Sequence, residues 1–307
     1  MLRLTFLGTS AAQPTLARNL SGLSVRRGHD HLLFDCGEGS QRQMMRYGTG
    51  FDVDHIFFTH FHGDHYLGLL GFLRTLNMQG RAAPLHLYGP APARSFLDRA
   101  VHLGFDPQAF QIHLHELSAG DSVSLGDGTV TAIQADHGLP ALGYLLREPV
   151  RPGEFHPDKA QALGVPAGPL FGALQRGEVV TVAGKAILPG EVLGPPRPGR
   201  SLLVSGDTRP CAAIEAAAAG VDCLVHEATF ADGERPRAIE THHSTAREAA
   251  ALAARAGVRR LILTHFSSRY EEGPNGGLSG LWAEARQEFP RTELAHDGLS
   301  LELALPA

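Results

Sequence analysis

Cysteine is scarce in this chain: Cys36, Cys211 and Cys223 are three among 307 residues, odd in number and far apart. That excludes a disulfide-stapled scaffold and favours a reducing compartment, with the cytoplasm as the expected location. Lysine is scarcer still, since Lys159 and Lys185 are the only two. No apolar run approaches the ~20 residues needed to cross a bilayer, so no membrane partner is expected. Met1–Gly8 reads as a short strand, without the apolar region and small-residue cleavage site of a secretory signal. The net charge of −5 excludes a protein that coats nucleic acid through bulk positive charge, and leaves a local basic site open.

Glycine, proline and histidine are plentiful. The 36 glycines and 20 prolines follow no collagen-like period, so they mark turns. The chain is long enough for two domains or one large α/β domain, and for a core that needs no staples. The 17 histidines matter most, because histidine is the commonest metal ligand and the usual near-neutral acid or base.

Apolar runs alternate with helical patterns. Leu32-Leu33-Phe34, His55 to Thr59, Leu85 to Tyr88, Val130 to Ile133, Ser201 to Val204, Cys223 to Val225 and Leu261 to Leu263 read as strands. A helix is expected near 66–79. An alanine-rich helix is expected to about Ala256, opened by Ser244 or Thr245 without a full capping box on Ser244. Strands interleaved with helices indicate an α/β class with helices on sheet faces. Residues 150–199 differ: they are rich in proline and glycine, lack sustained strand alternation and contain both lysines. Extended to Arg200, the stretch has six cations against four anions, a local excess of +2. By composition it is a flexible surface insertion within a 1–307 domain.

Thr59-His60-Phe61-His62-Gly63-Asp64-His65 is the strongest chemical signal. Four ligand-type side chains in six residues, with a glycine for a sharp turn, are hard to explain as surface decoration. Asp136-His137-Gly138, Gly206-Asp207-Thr208 and Thr264-His265-Phe266 each place a ligand type just beyond an apolar strand, where α/β sheets collect ligands. Seven donors exceed one tetrahedral zinc and suit two metals sharing a carboxylate. Asp207 is the bridging candidate, with His60, His62 and His137 on one metal and Asp64, His65 and His265 on the other. Imidazole and carboxylate without thiolate suit zinc.

With these residues in place, the chain resembles the metallo-β-lactamase superfamily and, within it, the short form of the ribonuclease Z family of tRNA 3′-endonucleases. Supporting matches are Gly8-Thr9-Ser10 with Pro14 to Asn19, Asp35-Cys36-Gly37-Glu38-Gly39, His226-Glu227-Ala228-Thr229, His243-Ser244-Thr245 and Ser267-Ser268-Arg269-Tyr270. Leu16 departs from the family's early loop, which often carries lysine there and is associated with rejecting tRNA that ends in CCA. The resemblance implies an αββα sandwich with an inserted flexible arm over 150–199. Leu163 to Pro169, with Gly164, Gly168 and Pro169 as contact residues, is similar to the family's tRNA-binding exosite. It also implies precursor tRNA as substrate, two zinc ions per subunit and a homodimer. The products would be tRNA with a 3′-hydroxyl and a trailer with a 5′-phosphate.

The chemistry follows from the residues. Two zinc ions would lower the pKa of a water toward ~7 and stabilise phosphoryl charge. Asp64, beside that water, is the expected proton acceptor. The leaving ribose oxygen needs a proton donor. The residues alone leave His242 and His243 equal, and the resemblance selects His243, with Glu227 orienting its ring. Arg269 is expected either to grip phosphate or to pair with Glu271 or Glu272. Another hydrolase of the same fold would need neither the arm nor the motifs at Glu227 and His243. An inactive RNA-binding subunit should lack ligands, and all seven are present.

Overall fold

The computed structural model describes residues 1–103, 109–271 and 277–306. The described chain forms two compact units: Met1–Arg147 with Ser201–Ala304, and Glu148–Arg200 with the C-terminal residues from Leu305.

The larger unit is built on two seven-stranded sheets. One runs, in spatial order, Ser300–Glu302, Leu2–Gly8, Gly22–Arg27, Asp30–Phe34, His55–Phe57, Leu85–Pro90 and Ile112–Leu117. The other runs Thr292–Leu294, Leu261–Thr264, Cys223–Glu227, Ser201–Val204, Leu142–Arg147, Gly128–Gln134 and Ser122–Leu125. Period-two alternation divides each strand between two cores. Leu2, Leu4, Phe6, Phe34 and Phe57 meet Tyr144, Leu146, Leu202, Val225 and Ile262 between the sheets. The outer face of the second sheet, including Leu203, Leu224, Leu261 and Leu263, is covered by the helices Ala212–Ala217, Ala246–Ala256 and Gly277–Glu288. Helices Ser40–Tyr47, Gly68–Met78 and Ala93–Val101 cover the first sheet in the same way. The result is the expected αββα sandwich. Strands buried on both faces read as continuous apolar runs, which is why Leu261–Thr264 and Ser201–Val204 stand out in the sequence.

The alanine-rich helix begins one residue later than a Ser244 cap would place it. Thr245 is the cap, its Oγ1 accepting from Glu248 N–H at 3.1 Å while Glu248 Oε2 accepts from Thr245 N–H at 3.0 Å. This is a full capping box, invisible when the count starts at Ser244. Thr245→Ala is expected to cost about 1 kcal/mol, read as a lower urea midpoint at unchanged slope.

The smaller unit differs from the expectation of an irregular segment. It contains helices Pro157–Ala162 and Pro169–Gln175, the hairpin Val180–Val182 with Lys185–Ile187, and a core of Ala160, Val165, Leu174, Val180, Ile187 and Val192. Three-residue strands are too short to show alternation. Its ends are joined where Glu148 N–H donates to Arg200 O at 2.9 Å and Glu148 pairs with Arg200 at 2.7 Å. Starting at Glu148 adds a fifth anion, so its excess positive charge is +1. Gly164 and Gly168 have φ of 85° and 138°, conformations that favour glycine. Gly164 ends one helix, while Gly168 caps the next, with Pro169 in its first turn.

Candidate metal centre

The sequence makes the site from strand ends. His55–Phe57 leads into Thr59 and His60, and the short helix Gly63–Tyr66 follows, carrying Asp64 and His65. Gly128–Gln134 leads to His137, Ser201–Val204 to Asp207, and Leu261–Thr264 to His265. All seven candidate ligands come together. His60 Nε2 lies 3.0 Å from His62 Nδ1, which is 3.3 Å from His137 Nε2. Asp64 Oδ2, His65 Nε2 and His265 Nε2 form a second set, 3.4–3.5 Å apart. A single oxygen, Asp207 Oδ2, faces both: it lies 3.6 Å from His60 Nε2, 3.3 Å from His65 Nε2 and 3.4 Å from His265 Nε2.

Whether these residues suit a cation is decided by their other nitrogens. His65 Nδ1 is 2.8 Å from Asp35 Oδ2, His265 Nδ1 is 2.9 Å from Thr229 Oγ1, and His137 Nδ1 is 2.9 Å from the His242 carbonyl. His60 Nδ1 is 3.1 Å from Thr59 Oγ1, whose own proton goes to Asp35 Oδ2 at 2.9 Å. With the Nδ1–H of these four histidines donating outward, their Nε2 atoms present lone pairs inward, whereas His62 faces the set through Nδ1. Converging lone pairs and carboxylates repel one another unless a cation sits among them, so the donor set fits a metal. Burial works against charge on His65, but Asp207, Asp35 and Asp64 outweigh it and hold its pKa well above the usual imidazole value. A bound metal would displace that proton.

Asp35 is a site residue to which the sequence reading gave no role. It is a non-glycine residue at φ 57° directly after Asp30–Phe34, and a strand-end aspartate was the available signal. Beyond His65, it accepts from Thr59 N–H at 2.7 Å. Asp35→Asn is expected to weaken metal retention by about 10–100-fold, measured by competition with a graded chelator.

His243 stands beside the two sets. Its Nδ1 lies 2.8 Å from Glu227 Oε1 and 3.9 Å from Asp207 Oδ2. Burial opposes its charge, but Glu227 outweighs burial and raises the His243 pKa to about 9. Glu227 is 1% exposed and accepts from Thr208 N–H, Thr229 N–H, Thr229 Oγ1–H and Ser244 N–H as well. So satisfied a carboxylate stays ionised: burial alone would raise its pKa, and His243 brings it below the ordinary value. Arg209 fixes the same loop, donating to His243 O at 2.6 Å while paired with Glu248. His242 offers its carbonyl to His137, and its ring is exposed.

Asp64 accepts from Ala12 N–H at 2.8 Å. Asp64, His62, Asp207, His243, His265 and Arg269 line one cleft of about 740 Å³. Arg269 pairs with Glu234 and lies 5.1 Å over Phe230. Of the two glutamates expected as its local partners, Glu271 bonds Thr15 instead, and Glu272 lies outside the described residues. Gly164, Gly168 and Pro169 belong to the smaller unit.

The chain matches the family model for the β-lactamase superfamily domain over residues 30–163 and 188–266. It is 59% identical to the ribonuclease Z of Myxococcus xanthus, over 99% of both chains. It is 48% identical to the ribonuclease Z of Gemmatimonas aurantiaca, over 99% of this chain and 96% of that one. Among solved structures, the short form of human tRNase Z superposes with a TM-score of 0.71 at 26% identity, covering 99% of this chain and 100% of the other.

Proposed function

This chain belongs to the ribonuclease Z family of the β-lactamase superfamily, and on that premise we propose that it is a zinc-dependent endoribonuclease acting on precursor tRNA. It removes the 3′ trailer, leaving a 3′-hydroxyl on the tRNA and a 5′-phosphate on the trailer. The observation that carries this reading is the pair of donor sets joined through Asp207 Oδ2 beside His243. Two zinc ions, held by His60, His62 and His137 and by Asp64, His65 and His265 with Asp207 between them, would supply Lewis-acid activation and neutralise phosphoryl charge. Asp64, oriented by Ala12 N–H, accepts the proton of the attacking water. His243, held on Glu227 through Nδ1, keeps Nε2 as the proton carrier for the departing ribose oxygen. Arg269, at the cleft wall, offers its guanidinium to a phosphate in exchange for Glu234. Incubation with a 3′-extended precursor tRNA and end analysis of both products tests the reaction. Intact substrate, or a 3′-phosphate on the tRNA, overturns it.

The Glu148–Arg200 unit serves as the tRNA-binding arm. The backbone at Gly164 and Gly168 is open, with no atom beyond the adjacent residues within 4 Å of where a side chain would begin, so phosphate can approach both glycines closely. Replacing residues 149–199 by a short turn, closed by the Glu148–Arg200 bond, is expected to raise KM for precursor tRNA by about tenfold or more, as phosphate contacts are lost. Hydrolysis of bis(p-nitrophenyl) phosphate should persist. Loss of both activities would make the arm a structural element.

The enzyme works as a homodimer in the cytoplasm, the arm of one subunit holding tRNA cut by the other. Cys36, Cys211 and Cys223 are all free thiols, and among the described residues no helix is long and apolar enough to cross a membrane. The free thiols support this location. At precursor tRNA concentrations well below KM, an armless chain and a His65→Ala chain should each be nearly inactive and regain activity when mixed.

A further inference from the structure

A second cleft, of about 770 Å³, lies on the larger unit away from the metal centre. Trp282, Arg286, Arg260, Arg291, Glu293 and His296 are among its lining residues. Arg260 precedes the strand Leu261–Thr264 and His265 follows it, so the two sites lie toward opposite ends of one strand, about 16 Å apart along it. A ligand held here is therefore not the phosphodiester being cut.

Trp282 is the only tryptophan of the chain and is 40% exposed. Its Nε1–H donates to Thr292 O at 3.1 Å, which fixes the plane of the ring. The Arg286 guanidinium lies 4.8 Å from the indole centroid. Most arginines near carboxylates in this acidic chain are paired, as Arg209 is with Glu248 and Arg255 with Glu215. Arg286 and Arg291 have no carboxylate partner among the described residues. Arg291 reaches the Val258 carbonyl at 3.4 Å and sits over Phe289. Arg260 pairs with Glu293 at 2.7 Å, but its Nε is buried without a hydrogen-bond partner.

A bare anion would leave the indole unused, and a neutral aromatic would leave the guanidinium forks unused. A planar base carrying a phosphate uses both, by stacking on the indole and by bidentate bonds from arginine. The volume is that of a small-molecule site. We propose that the Trp282–Arg286–Arg291 cleft binds a nucleotide, an aromatic base with its phosphate, either free or as an unpaired residue of an RNA strand. This goes beyond the endonuclease reading and does not depend on it.

The single tryptophan makes the test direct. Emission excited selectively at indole is followed on the zinc-loaded full-length chain during titration with AMP, adenosine, inorganic phosphate and a five-nucleotide oligoadenylate. AMP should quench saturably and more tightly than adenosine or phosphate. Arg286→Gln with Arg291→Gln should weaken AMP about tenfold or more. Unchanged hydrolysis of bis(p-nitrophenyl) phosphate by that double variant would show it folded. A tighter oligoadenylate would identify an RNA strand as the source, and a weaker one a free nucleotide; either upholds the base-plus-phosphate chemistry. Adenosine binding as well as AMP, phosphate alone matching AMP, or no saturable change with any ligand would each overturn the proposal.

Discussion

Asp207→Ala is expected to empty both metal positions at once and to reduce cleavage of precursor tRNA and of bis(p-nitrophenyl) phosphate together. One oxygen of Asp207 lies 3.3–3.6 Å from His60, His65 and His265, so its removal takes a ligand from each set. Seven donors with one shared would give four ligands to each of two ions, the usual number for zinc. Without Asp207 each set has three. Elemental analysis after dialysis should fall from about two zinc ions per chain to near none. His137→Ala, which touches one set alone, should lose chiefly one. Losing several kcal/mol of charge stabilisation amounts to about 10³-fold or more in rate. Asp207→Asn is the control for folding, since it keeps the volume and one oxygen but not the charge. Two metals retained in both variants would sink the shared-carboxylate arrangement.

What the sequence reveals and what it hides follow from one physical distinction. Ligand chemistry restricts residue type, so His60-Phe61-His62-Gly63-Asp64-His65 is legible as a block. His137, Asp207 and His265 are legible because each stands at the end of an apolar run. The groups that aim those ligands use common residues whose pairing exists only in three dimensions. Thr229 lies in a recognisable motif, but nothing local ties it to His265, 36 positions away, and Arg209, 34 positions from His243, has no local signature. Arg269 shows the same limit: adjacent glutamates suggested its partner, but the turn Ser268–Tyr270 carries it over Phe230 to Glu234. Strands follow a parallel logic. Those buried on both faces read as apolar runs, whereas Ile112–Leu117, an edge strand carrying His113, His115 and Glu116, and the three-residue strands Thr292–Leu294 and Ser300–Glu302 do not.

His243→Ala is expected to lower kcat on precursor tRNA by about 10²–10⁴-fold, with metal content and KM little changed. The leaving ribose oxygen must gain a proton, and His243 is the group positioned to give one: its Nδ1 is committed to Glu227 at 2.8 Å, which leaves Nε2 as carrier. The leaving group separates this role from others. p-Nitrophenolate departs without a proton, so hydrolysis of bis(p-nitrophenyl) phosphate by the same variant should fall far less. Glu227→Gln should lie between wild type and His243→Ala, because an amide can still orient the ring but cannot favour its charged form. A competing role is built into the same geometry, since Asp207, His243 and His265 also converge closely enough to share an ion. In that case His243→Ala would lose zinc, and both substrates would decline in parallel. Parallel decline with metal loss would therefore refute the proton-donor assignment, whereas a loss confined to the substrate with the poor leaving group would establish it.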